Sequence, residues 1–222
     1  SSHLRAKGWF EKTAISMDER PLKAMQEAIK LIKEADPEFK ITLAGNYHEE
    51  IQADLHDLSI PYTHKFPEAV KAQREKNGQI STVYVCCTEP FPNTFTFSNP
   101  ADAAWLPVHA IAGNYDGALR WTYNSWTADP LRDSRFRTWA AGDCYIVYPG
   151  DRSSIRFERL IEGIQQAEKI RLLREELTAE GAQEELDELN ETVALFTPEG
   201  LEKSQLAPEA MLVQLEELLN TL

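Results

Sequence analysis

The 222-residue sequence is short of several things, and each scarcity argues against a class of function. Three cysteines, Cys86, Cys87 and Cys144, are too few and too odd in number for a disulfide framework. Neighbours in a strand face opposite ways, so Cys86 and Cys87 are poorly placed to share a metal. All three are expected to be small, buried packing residues. No apolar run approaches the roughly 20 residues of a membrane-crossing helix, and no leader-like stretch precedes the first strand candidate. Basic residues are outnumbered, 23 Lys and Arg against 36 Asp and Glu, for a net charge of −13. Such a surface repels phosphate backbones and anionic lipid, which disfavours nucleic-acid and polybasic membrane binding. No glycine-rich phosphate loop follows any strand candidate, which disfavours nucleotide binding. His48, His56, His64 and His109 lack HxxxH spacing and are read as non-catalytic.

What is present is an alternation of strand and helix. Hydrophobic residues make up 42% of the chain and charged residues 27%, enough for a substantial core. Residues 12–17 read as a buried strand, and Pro21 at a first helical position leads Leu22, Met25, Ala28, Ile29 and Ile32 at helical spacing. KITLAGN is a second strand running into a turn, HEEIQADLHD a short helix or loop, and LSIPY a third, weaker strand because of its proline. PEAVKAQREKNG is a helix, STVYVCC a fourth strand, and ADAAWLPVHAIAGNY a helix that Pro107 kinks or shortens. GALRWTYNSW is a fifth strand. Five strand–helix alternations predict a parallel α/β sheet with crossover helices, either doubly wound or a (β/α)8 barrel. Beyond it, GDCYIVYPG reads as an extra strand and residues 153–177 as one long helix. Two amphipathic helices in the Glu- and Leu-rich tail are expected to pack or cap, with partner binding as the alternative.

In both parallel architectures chemistry sits at the carboxyl ends of the strands. Asp18 and Glu19 stand at the first such end. The plain account of DERP is an acidic pair complementing a helix dipole. The chemical account is that two close carboxylates do not both ionise easily, so one retains the proton a general acid needs. Trp121, Tyr123 and Trp126 suit the apolar faces of sugar rings, and Asn46, Asn93 and Asn124 suit hydroxyl or acetamido groups. Trp121 and Tyr123 share one face of their strand and are equally suited to the core, and Arg120 is suited to pairing with an acid. A carboxylate pair with aromatics and amides is the composition of a glycosidase site.

ISMDERP, ITLAGNYHEEI, YVCCTEPFPNTF, LRWTYNSWTADPLRDSRF, AAGDCYIVYPG and SSIRFERLIEGIQQAEKIRLL together resemble the catalytic domain of glycoside hydrolase family 123. The resemblance runs from about residue 8 to about residue 173. It implies a partial (β/α)8 TIM barrel, with residues 12–17 as the fourth barrel strand and the later strands as five to eight. Domains are then expected at 1–177, the C-terminal part of the barrel, and 178–222, a helical extension. It further implies a retaining β-N-acetylhexosaminidase, acting on N-acetylgalactosamine, in which the substrate's own acetamido oxygen attacks the anomeric carbon. Glu19 would be the acid and base, and Asp18 would orient the acetamido group. This would account for the lack of a separate nucleophile about 5 Å from the acid. Backbone near Asp18 must then leave strand geometry, so that both neighbours reach one sugar.

Candidate substrate-binding residues are Asn46, Tyr84, Asn93, Tyr123, Asn124 and Trp126. No metal or organic cofactor is implied. The implied partner is an oligosaccharide or glycoconjugate, with no nucleic acid and no membrane insertion, and the implied location is periplasmic or extracellular in a bacterium. Five strands of an eight-stranded barrel would expose sheet edges, so self-association or pairing with a missing N-terminal barrel half is expected. The alternative is a catalytically inactive barrel remnant that binds sugar or packs against a partner chain.

Overall fold

The computed structural model describes residues 1–135 and 138–222. Phe136, the last residue of the LRWTYNSWTADPLRDSRF segment, and Arg137 lie outside them. Five strands form one sheet in the order β1-β2-β3-β4-β5, as expected of an α/β chain whose successive strands are joined by crossovers. The chain divides into two compact units, Ser1–Tyr84 and Val85–Leu222.

The first unit holds β1 (Ala14–Asp18), β2 (Lys40–Ala44), β3 (Asp57–Pro61) and all but the last residue of β4 (Ile80–Val85). These four run parallel, with Asp18 opposite Ala44, Leu43 opposite Leu58 and Ile60 opposite Val83. Their inner residues Ile41, Leu43, Leu58, Ile60 and Val83 are buried. Between the strands lie α2 (Leu22–Ala35) and α3 (Glu68–Lys76), and α1 (Ser2–Ala6) precedes them. Met25 and Ile29, four apart on one face of α2, are the buried residues of that helix. Pro21 caps α2 from outside the helix and is not its first residue.

β1 corrects one expectation. It alternates between exposed and half-buried residues and contains no fully buried one. Among the described residues it lies at the end of the strand order with β2 alone as its strand partner, so one edge has no neighbouring strand. It does end at Asp18, and Glu19 is outside strand geometry, as the adjacency of the two acids requires.

The second unit is built around α4 (Ala101–Ala112), in which every residue from Ala101 to Ala110 is buried. Pro107 sits inside this helix without ending it. α5 (Ile155–Glu180) packs on α4. The two helices meet at Gly163, where an added Cβ would stand 2.4 Å from the Ala104 carbonyl oxygen, so only glycine permits the approach. Ser154 caps α5 by accepting from the Phe157 amide at 3.1 Å, and Gly181, at φ 73°, ends it in the left-handed region.

The tail forms three helices where two were expected: α6 (Gln183–Ala194), α7 (Pro198–Ser204) and α8 (Pro208–Thr221). Thr197 creates the extra one, its hydroxyl accepting from the Gly200 amide at 3.1 Å ahead of Pro198. α6 and α8 pack on α4. Phe196 is 1% exposed, with its ring centroid 4.8 Å from that of Trp105, and its carbonyl lies 2.8 Å from His109 Nδ1.

β5 (Gly117–Arg120) is shorter than GALRWTYNSW suggests. GDCYIVYPG is likewise no strand, and among the described residues its bridges are the isolated Asn124–Tyr145 and Tyr148–Arg152. Beyond Arg120 the segment is held by separate backbone bonds, Ser125 to Cys144 and Ile146 to Tyr123, and by the side-chain network described below.

Candidate active site

In the first unit, β1 carries Asp18 to its carboxyl end and β2 carries Gly45 and Asn46 to the neighbouring one. The register places Asp18 beside Ala44, so Glu19 meets the turn that follows β2. Asn46 Nδ2 donates to Glu19 Oε1 at 2.5 Å. Gly45 makes room for the same side chain. A Cβ there would stand 3.0 Å from Glu19 Cβ and 3.2 Å from its Cγ and Cδ. The AGN turn therefore has a reason for each of its last two letters, clearance at Gly45 and a donor at Asn46.

Asp18 is held differently. Its Oδ1 accepts from the Glu19 amide at 2.9 Å, and its Oδ2 pairs with Arg20 Nη1. Arg20 Nη1 also donates to the Glu19 carbonyl at 2.7 Å. Asp18 and Arg20 are both solvent-exposed, and a surface ion pair of this kind contributes little, so another donor can take the place of Arg20. The neighbouring carboxylates thus have separate partners, one a part-buried neutral amide and the other an exposed cation. Tyr84 lies on β4 opposite Pro61, half-buried, with its carbonyl accepting from the Tyr62 amide at 2.9 Å.

In the second unit, the loop after β4 is knitted by two buried polar side chains. Glu89, 1% exposed, accepts from the Cys86 amide at 2.8 Å. Asn93, also 1% exposed, donates to the Cys86 and Glu89 carbonyls at 2.6 Å each and accepts from the Thr94 amide at 2.8 Å. Its amide is occupied by the loop and is not presented to solvent. The same loop corrects the cysteine expectation. β4 ends at Val85, so Cys86 and Cys87 are loop residues, half-buried and exposed, and only Cys144 is buried. Burial pushes the Cys144 thiol up, as expected of an inert packing cysteine.

Tyr123, Asn124 and Trp126 come close in sequence and are all exposed. The segment is pinned to residues 144–147: Ser125 donates to the Cys144 carbonyl at 2.9 Å, Ile146 to Tyr123 at 3.0 Å, and Trp126 Nε1 to Val147 at 2.9 Å. The Tyr123 ring stands edge-on to Phe157 at 5.9 Å.

Two participants carry no signal that sequence reasoning used. Asp143 is fully buried and pairs with Arg120, whose Nη2 lies 2.6 Å from Asp143 Oδ1. The same oxygen accepts from Trp121 Nε1 at 3.1 Å, and the Trp121 ring meets Trp139 edge-on at 5.3 Å. An acid with no strand or helix of its own, and a tryptophan in an irregular segment, leave no periodic pattern. The cue available was Arg120, a cation that needs a buried partner.

Among the described residues no group of three His, Cys, Asp or Glu side chains is placed to hold a metal ion. None of their helices is long and apolar enough to cross a membrane.

A family model described as the glycoside hydrolase 123 catalytic domain matches residues 1–173. The chain belongs to this family. Eight solved chains match it. One is a family 123 glycoside hydrolase from Clostridium perfringens, studied for glycolipid glycan hydrolysis, at 24% identity and a TM-score of 0.80. That likeness covers 99% of this chain and 42% of the clostridial one, so the chain spans less than half of its relative's length. It establishes a shared fold. No curated protein matches the chain.

Proposed function

We propose that this family 123 chain carries the catalytic carboxylates of a retaining glycoside hydrolase that releases terminal β-linked N-acetylhexosamine, specifically N-acetylgalactosamine. The observation that carries the proposal is the construction around Glu19: a strand-end carboxylate, cleared by Gly45 and held by Asn46, next to an exposed Asp18.

The chemistry needs two acids with different tasks. The acetamido carbonyl oxygen of the sugar attacks C1 as the bond from C1 to the leaving oxygen breaks. Glu19 gives its proton to that oxygen, and an oxazolinium ring forms on the sugar. Asp18 accepts a hydrogen bond from the acetamido N–H and stabilises the positive charge, after exchanging Arg20. Water then attacks C1, Glu19 takes its proton back and the ring reopens with net retention. Asn46, which donates to Glu19 Oε1, keeps the carboxylate in one rotamer through both steps. Tyr84 offers ring contact within the first unit, Tyr123, Asn124 and Trp126 are exposed groups of the second unit with sugar-binding chemistry, and Asn93 shapes the loop after β4 from within. Residues 178–222 form an appended helical extension to the barrel segment.

The test is release of 4-nitrophenol from its β-N-acetylgalactosaminide, with the glucosaminide beside it, by the wild-type chain and by Glu19→Gln. Turnover by the wild type that is lost in the variant supports the assignment. A second reading rests on β1, which among the described residues has a neighbouring strand on one edge only. In that reading the chain binds sugar without turnover and pairs through β1 with a further strand, its own copy's or another chain's. Sugar binding without nitrophenol release would favour it.

A further inference from the structure

Trp121 and Trp139 are both more than a third exposed, yet one of them is held from beneath by a carboxylate that no solvent reaches. The network is continuous. Arg120 Nη1 donates to the Val85 carbonyl at the end of β4, at 2.9 Å. Arg120 Nη2 donates to the Asp143 carbonyl at 2.7 Å and to its carboxylate at 2.6 Å. Asp143 Oδ1 then accepts from the Trp121 indole N–H at 3.1 Å, and Trp121 meets Trp139 at an interplanar angle of 64°.

A buried ion pair adds little stability over apolar packing of the same volume. An exposed indole gains nothing for the core by being fixed. What the arrangement does supply is direction, because a hydrogen bond to a buried charge leaves the ring with one orientation. Two exposed indoles meeting edge to face present an apolar corner, and the apolar C–H face of a pyranose fits such a surface.

We propose that Trp121 and Trp139 form a stacking platform for a pyranose ring, and that Asp143 is the residue that positions it. The proposal rests on the glycosidase function argued above. Asp143 touches no substrate, and its part is to set the angle at which Trp121 is offered.

The experiment reads the platform in two ways, with the intact chain throughout. The first is the exciton couplet of the Trp121–Trp139 pair in far-ultraviolet circular dichroism. The second is the affinity for N-acetylgalactosamine by calorimetry, with nitrophenol release measured alongside. Trp139→Phe is expected to abolish the couplet. Asp143→Asn is expected to weaken it while the rest of the spectrum holds. Trp121→Phe keeps an aromatic face but loses the N–H tether together with part of the ring. It is expected to weaken sugar binding about tenfold, the scale of one lost hydrogen bond to a charged group.

Wild-type affinity in Trp121→Phe would overturn the proposal, as would an Asp143→Asn chain with unchanged couplet and affinity. Should Asp143→Asn fail to fold, the Trp121→Phe result decides alone. Wild-type turnover with unaffected platform variants would leave the glycosidase function standing and remove the platform. A wild type that neither binds nor hydrolyses the sugar would remove both.

Discussion

Asn46 grips Glu19 across two adjacent strand ends, its Nδ2 donating to Glu19 Oε1 at 2.5 Å, while Gly45, one residue earlier, leaves the space in which that carboxylate lies. Residues 27 apart in the sequence thereby make one device. The parallel register brings the turn after β2 alongside the residue that follows β1.

Gly45→Ala tests the clearance. The new Cβ would stand 3.0 Å from Glu19 Cβ, close to the backbone where the side chain cannot simply swing away. A displaced acid costs rate on the order of 10²-fold for a shift of about 1 Å. We expect kcat/KM on the nitrophenyl substrate to fall about tenfold or more, with the thermal midpoint changed by only a few degrees. The substrate assay and a thermal melt, run side by side, check this.

Asp102 makes stability depend on pH. Burial at the start of α4 pushes its carboxyl up to about 6 from the ordinary 3.8, with Glu209 adding to the rise and the Asn93 amide opposing it. The folded state therefore holds a proton that the unfolded state releases first. The stability this provides is fully present below about 3.8 and is lost as pH rises through about 6. Asp102→Asn removes the titration and keeps an acceptor for the Asn93 amide. Its melting temperature relative to wild type should climb between pH 4 and pH 7, and a flat difference would refute the assignment.

Phe196 tests whether the tail belongs to the core. It lies beyond the family match, which ends at residue 173, yet it is buried against Trp105. Phe196→Ala should cost about 3–5 kcal/mol, the range for a large aromatic removed from a packed core. Urea unfolding measures it, and a loss near zero would mean that the tail is a loose appendage.

The βα rhythm was legible because the inner strands of a parallel sheet are apolar runs, and Ile41, Leu43, Leu58 and Ile60 are such runs in place. The half-exposure of β1 was not, since an edge strand and an inner one read alike until the order of strands is known. The position of Asp18 and Glu19 at the end of β1 was legible, because the apolar run before them and the helix after them bracket that turn. The work of Gly45 was hidden, because its neighbour Glu19 comes from another strand. Asn93 read as an amide with sugar-binding chemistry, and nothing local indicated that three backbone groups would occupy it. The segment after Arg120 read as strand through its aromatic and β-branched content. Its order comes instead from Asp143, 23 residues on, and from the carbonyls of Cys144 and Val147.

The most direct test of the account is the rate of hydrolysis of 4-nitrophenyl β-N-acetylgalactosaminide against its mono- and trifluoroacetamido analogues. If the sugar's own carbonyl oxygen is the nucleophile, each fluorine draws electron density from it. With Glu19 as the acid, kcat/KM should then fall steeply along the series. Equal rates on all three substrates, or a folded chain that hydrolyses none of them, would contradict it.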